Sequence, residues 1–411
     1  MKKPELLAPA GNLEKLKKAF IYGADAVYIG GEEFSLRVAA DNFSINDIYE
    51  GVEFAHRRGG KVYLTANVIP HNRDVDDYAK YLMEVKDTGI DAVILSDLGM
   101  FAVTRELAPD LDIHVSTQAN NVNYRSAAQW YAMGAKRVIL AREMSLSEIR
   151  EIRERTQPGL ELEAFVHGAM CISYSGRCLL SNYMAGRDSN QGNCAHPCRW
   201  KYYLMEENRP GEYMPVYENE RGTFIYNSKD LCMIEHVPEL IGSGLTSFKI
   251  EGRVKSEFYV ATVVGAYRRA IDAYFADPAH YQTDPSWMEE LKKVSHRGYT
   301  TGFYFGRPGA AEQNYASSSY IREYDMVGVV TDYDEKTGMA RIIQKNRFFV
   351  GDTVEFLRPV GKFYSQEIRE MTDENGVSLT VANRPQSVVY VKTEQPVEKD
   401  TFLRKFRGET V

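Results

Sequence analysis

Five cysteines, the residues of this chain best suited to metal or redox chemistry, all fall between positions 171 and 232 of 411. Their spacing is Cys171-x6-Cys178-x15-Cys194-x3-Cys198-x33-Cys232. A lone cysteine is usually a small buried hydrophobic residue, but five in loops rich in glycine and asparagine indicate a metal or redox site. Structural zinc sites usually use two close cysteine pairs, and only Cys194 and Cys198 resemble one. Because an iron-sulfur cluster accepts thiolates from distant loops, the spacing favours a cluster over zinc, and zinc over a redox disulfide.

The composition is that of an ordinary globular protein, with 44% hydrophobic and 26% charged residues. A chain of this length can bury a large core and is expected to form two domains. No apolar run reaches the roughly 18 residues of a membrane span, and the first residues lead into a strand pattern rather than a signal peptide. We therefore expect a cytoplasmic protein. The net charge of -7 gives no general attraction to a polyanion, so contact with nucleic acid would need a local basic patch.

A repeated unit dominates the first 280 or so residues. Four segments start with a glycine and continue into a short apolar strand, and the glycines are Gly23, Gly89, Gly134 and Gly244. Glycine suits the left-handed residue that ends a helix, and short apolar strands are typical of sheets covered on both faces. Each segment therefore predicts a junction from helix to strand. Amphipathic stretches between them, such as 45–58 and 76–88, predict helices.

Four further strands are predicted near residues 5–8, 61–65, 112–116 and 162–166. Eight strands alternating with helices favour a (β/α)8 TIM-like barrel over a doubly wound open sheet. A cysteine-bearing insertion at about 171–232 interrupts the pattern with a predicted hairpin, and a helix over 256–277 closes the barrel. After Gly302 the strands become short and alternating, which is typical of a small all-β barrel. We expect the barrel domain over residues 1–300 and the β-barrel domain over 301–411.

The residues that follow the strands of such a barrel meet at one mouth, where the active sites of this fold lie. Most of them are polar or charged here. The candidates for substrate binding are Asn12, Arg37, Asn67, Gln118, Lys249, Glu251 and Arg253, and the candidates for catalysis are His167, Glu163 and Arg142. For several of them a structural role is also open. Glu163 could be a general base or part of a buried ion pair, His167 a hydrogen-bond donor or a structural histidine, and the arginines could pair with neighbouring glutamates.

One run carries a specific resemblance to a known family. It extends from Glu163 to Ser181 and reads EAFVHGAMCISYSGRCLLS. Supporting motifs are LAPAGN from Leu7, NQGNC ending at Cys194, SKDLC ending at Cys232 and KIEGR from Lys249. Together these motifs span most of residues 1–280. The chain resembles peptidase family U32, the collagenase-like peptidases.

The resemblance implies a 4Fe-4S cluster held by Cys171, Cys178, Cys194 and Cys232, with Cys198 as the alternate ligand. The chain length and the β-rich tail are most similar to the members that carry out prephenate-dependent tRNA hydroxylation, which install 5-hydroxyuridine at the wobble position. What this implies is tRNA as a partner, prephenate as a cosubstrate and a paralogous family member as a further candidate partner. Neither a membrane nor DNA is expected as a partner.

Prephenate carries two carboxylates, and a guanidinium group can hold a carboxylate by two parallel hydrogen bonds. Arg37, Arg142 and Arg253 are the candidates for this role. Two other functions stay open. A collagenase-like peptidase is what the family name indicates, although the sequence has neither His-Glu-x-x-His nor Gly-x-Ser-x-Gly and its thiols are better explained as cluster ligands. A non-catalytic iron-sulfur protein that binds RNA or assists assembly would carry the same cysteines.

Overall fold

The computed structural model describes residues 2–35, 42–170, 178–187, 189–200, 203–204, 214–215, 228–308, 320–361 and 363–408. The strands of the N-terminal domain are, in chain order, β1 (Glu5–Pro9), β2 (Ala26–Gly30), β3 (Lys61–Ala66), β4 (Ala92–Leu95), β5 (Asp112–Val115), β6 (Arg137–Ile139), β7 (Glu161–Gly168), β8 (Tyr203–Leu204), β9 (Met214–Pro215), β10 (Asp230–Cys232), β11 (Ser247–Ile250) and β12 (Tyr299–Thr300).

Eight of these strands form a closed parallel barrel. Strands β1 to β7 pair in sequence order, and β11 pairs in parallel with both β7 and β1. Phe248 in β11, for example, lies opposite Ala164 on one side and Leu6 on the other. The sheet has therefore closed on itself, which confirms the predicted barrel and excludes the open doubly wound alternative.

Helices surround the barrel. They are α1 (Leu13–Ile21), α2 (Ile45–His56), α3 (Asn72–Val85), α4 (Leu98–Leu107), α5 (Tyr124–Ala132), α6 (Leu146–Glu154), α7 (Leu180–Ala185), α8 (Val237–Gly242), α9 (Glu257–Ala276) and α10 (Pro285–Lys292). The four predicted junction glycines all have positive φ, between 82° at Gly244 and 107° at Gly134. The left-handed residue that ends each helix is thus where the sequence places it. In the part of the chain that the structure describes, no helix has the length and apolar character needed to cross a membrane.

The insertion after β7 returns to the barrel wall. Strands β8 and β9 pair in antiparallel fashion, with Leu204 opposite Met214, as the predicted hairpin requires. Strand β10 then adds to the end of β7 in antiparallel register, and β12 pairs with β10. The insertion also contacts the loop after β3, four strands away from β7 in the barrel, because the Ile69 amide donates to the Asn190 carbonyl at 3.1 Å. The segment that bears the cysteines is therefore anchored at the mouth end of the barrel.

The C-terminal strands are β13 (Tyr324–Asp334), β14 (Met339–Gln344), β15 (Phe348–Phe349), β16 (Thr353–Leu357), β17 (Tyr364–Glu367), β18 (Met371–Thr372), β19 (Val381–Ala382), β20 (Val388–Lys392) and β21 (Phe402–Phe406). Seven of them form an antiparallel sheet in the order β17-β16-β21-β13-β14-β20-β18. This sheet is a half-barrel around its own apolar core, which includes Val330, Phe356 and Leu403. The predicted small all-β domain is confirmed.

The half-barrel packs against α1, α9 and α10. Phe402 lies 5.9 Å from Phe258 of α9 and 5.8 Å from Tyr22 of α1, measured between ring centroids. Arg404 is fully buried at this interface and donates to Glu290 of α10 at 2.6 Å and to Glu355 of β16 at 2.7 Å. Apolar rings and paired charges therefore fix the β domain on the barrel.

Candidate active site at the barrel mouth

The lumen of the barrel holds a buried cluster of charges. Glu163 of β7 is completely buried, and its two carboxylate oxygens accept from Lys249 at 2.9 Å and from Arg137 at 2.8 Å. Burial alone would raise the pKa of Glu163, but the two cations outweigh burial and lower it. Glu163 also lies four residues before His167, or roughly 13 Å below the mouth. This geometry supports a buried ion pair, rather than a general base, as the role of Glu163. Lys249, a candidate for substrate binding, is the partner of Glu163 in this ion pair.

His167 lies at the mouth end of β7, opposite Cys232 in the antiparallel pairing with β10. Its ring is packed among Tyr259, Tyr267 and Tyr299, with centroids 5.5 to 6.0 Å apart. Among the described residues neither ring nitrogen has a hydrogen-bond partner. Burial, followed by the charge of Lys255, lowers the pKa of His167 to about 3. The imidazole is therefore neutral near pH 7. One of its ring nitrogens can donate a hydrogen bond to a bound ligand and the other can accept one.

Cys232 is buried next to His167. The Oη of Tyr267 lies 3.9 Å from its Sγ and donates to the Val166 carbonyl at 2.7 Å. Burial raises the pKa of the Cys232 thiol to about 12. A nucleophilic cysteine needs a lowered pKa, so this environment does not favour a cysteine protease built on Cys232.

The other cysteines that the structure describes are in the insertion. Cys178 and Cys194 are free thiols, as is Cys232. The His196 amide donates to Cys194 Sγ at 3.3 Å, and such amide-to-sulfur bonds are one means by which proteins tune iron-sulfur clusters. Cys198 lies in the short 3-10 helix Pro197–Arg199. The predicted ligand Cys171 lies outside the described residues.

The donor types therefore fit an iron-sulfur cluster, but their assembly is not seen in the described part of the chain. Among those residues, no three side chains of the kinds that hold metals come together at one point. The free thiols, the amide bond to Cys194 and the unpaired ring of His167 are compatible with a cluster, and the four-cysteine ligand set stays a prediction.

Arg253 follows β11, and its side chain extends across the mouth to Thr65 of β3. It is 3% exposed, and its guanidinium donates to Thr65 Oγ1 at 3.0 Å. Two glycines make room for it: a Cβ at Gly30 would lie 2.0 Å from Arg253 Nη1, and a Cβ at Gly11 would lie 2.2 Å from its carbonyl oxygen. The end of β2 thus approaches the guanidinium, and the residue Gly11 after β1 approaches the main chain of Arg253, as closely as only glycine allows. A guanidinium held so firmly at the mouth suits the fixed recognition of an anion.

The remaining candidates lie around the same rim. Arg142 donates to the Ala169 carbonyl at 2.8 Å, which places its side chain beside the end of β7. Glu251 accepts from Tyr28 Oη at 3.2 Å. The side chain of Asn12 caps α1 by accepting from the Lys15 amide at 3.0 Å, so one function of Asn12 is structural. Arg37 lies outside the described residues.

Three asparagines in the loops after β3 and β5 each have one buried amide atom without a hydrogen-bond partner among the described residues. The side chain of Asn67, after β3, donates from Nδ2 to Ser116 Oγ at 3.1 Å. Its Oδ1 is buried and accepts no hydrogen bond from the described residues. The Oδ1 of Asn120 and the Nδ2 of Asn121, both in the loop after β5, are unpaired in the same sense. Gln118 lies in that loop. Buried polar atoms usually have partners, so this concentration is what a ligand-binding surface presents.

Several residues of the site were not among the predicted candidates. Thr65 holds Arg253, Asn121 is buried at the rim, and Tyr259, Tyr267 and Tyr299 form the wall around His167. Asn121 could have been found from its place in the loop after the fifth strand. The tyrosines could not, because they come from elements that begin about 90 to 130 residues after β7 and are brought together only by the closed fold.

Comparison with known proteins matches the whole length of the chain. Residues 11–314 match the model of peptidase family U32, and residues 322–404 match that of the U32 C-terminal domain. The tRNA hydroxylation protein P1 of Bacillus subtilis is 45% identical over 98% of this chain and 95% of its own length. The tRNA hydroxylation protein P of Escherichia coli is 39% identical over 100% of this chain and 98% of its own length. The second Bacillus subtilis relative, tRNA hydroxylation protein P2, is 36% identical over 74% of this chain and 98% of its own length.

The two family models correspond to the two domains of the structure. The first covers the barrel with its cysteine-bearing insertion, and the second covers the half-barrel. The resemblance drawn from the motif around His167 and Cys178 is thereby confirmed. The chain belongs to peptidase family U32.

Proposed function

We propose that this protein is a tRNA hydroxylase that forms 5-hydroxyuridine at the wobble position, with prephenate as cosubstrate and a 4Fe-4S cluster as cofactor. The observation that carries the proposal is the full-length similarity to relatives named tRNA hydroxylation proteins, at 45% and 39% identity. A relative that matches only one domain could share a fold without sharing an activity. Here the barrel, the insertion and the half-barrel are all shared.

The mouth of the barrel supplies groups suited to this reaction. In this proposal Arg253, which is buried and donates to Thr65, would bind one carboxylate of the cosubstrate, and Arg142 on the β7 side would bind the other. The Oδ1 atoms of Asn67 and Asn120, which accept no hydrogen bond from the described residues, are suited to accept from the edge of a uracil ring. His167, neutral and buried, is the group that can donate or accept a proton next to the cysteines.

The proposed cluster would be held by Cys171, Cys178, Cys194 and Cys232, and when bound it would supply one-electron redox chemistry. Among the described residues, Cys178, Cys194, Cys198 and Cys232 all lack a disulfide partner, which is consistent with cluster ligands but does not choose among them. Because Bacillus subtilis has two related tRNA hydroxylation proteins, a paralogous family member is a second candidate partner besides tRNA.

The test is nucleoside analysis of bulk tRNA from a strain that lacks the gene and its paralogues. We expect loss of 5-hydroxyuridine derivatives, and their return when this chain is expressed. Unchanged hydroxyuridine in the deletion strain would contradict the activity. If the complemented strain is also made unable to synthesise prephenate, the hydroxyuridine derivatives should disappear again. Their persistence would contradict the proposal that prephenate is the cosubstrate.

The cofactor is tested with the same strain and two matched cysteine variants. Cys178→Ala, purified without oxygen, should lose bound iron and sulfide and fail to restore the modification. Cys198→Ala, which removes a thiol only 20 residues away in the same insertion, should keep both. Equal loss in the two variants, or full iron and sulfide content in Cys178→Ala, would contradict the proposed ligand set. Wild-type protein purified without oxygen that held no iron and sulfide would contradict the cluster itself.

A further inference from the structure

The half-barrel carries a cluster of cations around one exposed aromatic ring, here called the basic patch: Lys345, Arg347, Phe349, Arg384 and Lys405. The phenyl ring of Phe349 is 39% exposed. The guanidinium of Arg347 lies 5.4 Å and the ammonium of Lys405 lies 5.5 Å from its centroid. Both distances are within the range in which a cation is attracted to an aromatic face.

The loop that bears Arg384 adjoins the loop that bears Arg347. The Gln344 amide donates to the Ser387 carbonyl, and the Gln386 amide donates to the Gln344 carbonyl, both at 2.9 Å. Residues 383–386 are all exposed. The backbone therefore holds the two arginine-bearing loops next to each other at the end of β14.

The charge of the basic patch is only partly neutralised. Lys405 pairs with Asp352 at 2.6 Å and Lys345 lies 3.6 Å from Glu257. Arg347 and Arg384 have no carboxylate within reach among the described residues, and both are exposed. The chain as a whole is acidic, with a net charge of -7. The excess of positive charge at the basic patch is therefore a local feature of the surface.

The basic patch borders the barrel mouth. Glu257, the partner of Lys345, is the first residue of α9, and residues 251–256 before it form the mouth loop that contains Arg253. Helix α9 starts at the mouth because it follows the carboxyl end of β11. A strand whose nucleotide entered the mouth would therefore have its neighbouring phosphates within reach of the patch.

We propose that the basic patch binds the sugar-phosphate backbone of RNA beside the nucleotide that enters the mouth, with Phe349 as a stacking platform for an unpaired base. This inference rests on the proposed function for the identity of the RNA. Cations that follow the backbone, combined with an exposed ring on which a base can stack, are the usual composition of surfaces that bind single-stranded RNA. An acidic protein surface could also pair with the cations, but the full-length similarity to tRNA hydroxylation proteins favours RNA as the occupant.

The experiment measures binding of unmodified tRNA to the full-length protein by fluorescence anisotropy over a range of salt concentrations. Arg347→Glu and Arg384→Glu should each weaken binding by about tenfold and lower the slope of log affinity against log salt by about 1. Phe349→Ala should weaken binding with little change in slope, because it removes stacking and no charge. The matched control is Lys336→Glu, which makes the same change of charge at the opposite end of β14 and should leave affinity and slope unchanged.

Unchanged affinity and slope in the Arg347→Glu, Arg384→Glu double variant would overturn the proposal, and so would an equal loss in Lys336→Glu. The tRNA modification assay separates this outcome from a failure of the proposed function. If the patch variants bind and modify tRNA like the wild type, the patch proposal fails and the hydroxylase proposal stands. If binding depends on the patch but the wild type restores no hydroxyuridine, the hydroxylase proposal fails and the RNA surface stands.

Discussion

Glu163 shows how the surroundings of one side chain decide between catalysis and structure. A carboxylate in a barrel strand can act as a base only if a proton can reach it, but both oxygens of Glu163 are occupied by Lys249 and Arg137. Burial lowers the pKa of Lys249 even beside Glu163, yet an arginine keeps its charge at any ordinary pH. Lys249 and Arg137 together therefore keep the buried carboxyl ionised.

Replacing this carboxylate tests the structural role. Glu163→Gln would leave the buried ammonium of Lys249 without the carboxylate that binds it. Arg137 would keep its pairs with Glu5 and Glu161. We expect the free energy of unfolding to fall by roughly 3–5 kcal/mol, measured by urea denaturation. Glu151→Gln, which breaks an exposed pair with Arg155, should cost less than about 1 kcal/mol. If Glu163→Gln kept the stability of the wild type and lost only its activity, a catalytic role would be indicated instead.

The difference in unfolding free energy between the wild type and Glu163→Gln should depend on pH. Because the folded-state pKa of Glu163 is lowered from 4.5, its contribution is complete above the unfolded-state value and is lost as the pH falls through the lower folded-state value. The stability difference between wild type and Glu163→Gln should thus be constant near neutral pH and shrink only in acid.

The candidate site was predictable from the sequence in part. Counting along the strands placed Arg253, Asn67 and His167 at the mouth, because parallel strands bring their carboxyl ends together. What each side chain contacts was not predictable. Arg253 and Thr65 are 188 residues apart, and only the closure of the barrel makes them neighbours. Local patterns give positions, while partners depend on the tertiary fold.

The helix-to-strand junctions were the most predictable elements. A glycine with positive φ closes each one, and the backbone there is unfavourable for any residue with a Cβ. Two glycines at the end of α8 allow a matched test. Gly244 has φ of 82°, and a Cβ there would lie 2.5 Å from Arg153 Cγ, whereas Gly242 ends the helix with open space around it.

We expect Gly244→Ala to lower the free energy of unfolding by about 1–2 kcal/mol. Gly242→Ala should leave it unchanged or raise it by up to about 1 kcal/mol, because alanine is the better helix former. Chemical denaturation of both variants measures the difference. A neutral Gly244→Ala would mean that the junction tolerates a right-handed residue, and the repeated glycines would then need another explanation.

Elements that the sequence did not indicate lack the alternation on which strand prediction depends. Strand β17 reads YSQE and has only one buried position. Strand β21 reads FLRKF, and its central arginine is fully buried because it pairs across the domain interface. A buried charge interrupts the period of two that identifies a half-buried strand. Strand β21 was therefore missed because its stability depends on contacts far away in the chain, whereas β17 pairs with the adjacent strand β16 but lacks an apolar pattern.

The molecule as a whole combines two sheets through an interface that includes buried charge. Arg404 binds Glu290 of the barrel and Glu355 of the half-barrel, and Lys293 joins the same network at 2.8 Å from Glu355. Since the basic patch and the mouth lie on different sheets, one RNA can contact both only while this interface holds. The interface thus links the stability of the molecule to the proposed recognition of RNA.

Arg404→Met separates these contributions. The substitution removes one of the two cations that Glu290 and Glu355 share and leaves Lys293 as the other. We expect a loss of roughly 3–5 kcal/mol concentrated at the interface, because two buried carboxylates then share one cation. In scanning calorimetry the wild type should unfold in one transition, and the variant should show two, because the domains lose their coupling. Arg358→Met is the control, since it removes an exposed pair with Glu398 inside the half-barrel and should keep one transition. A single transition in Arg404→Met, with an unchanged midpoint, would show that the apolar contacts of Phe402 with Tyr22 and Phe258 hold the two domains together without this network.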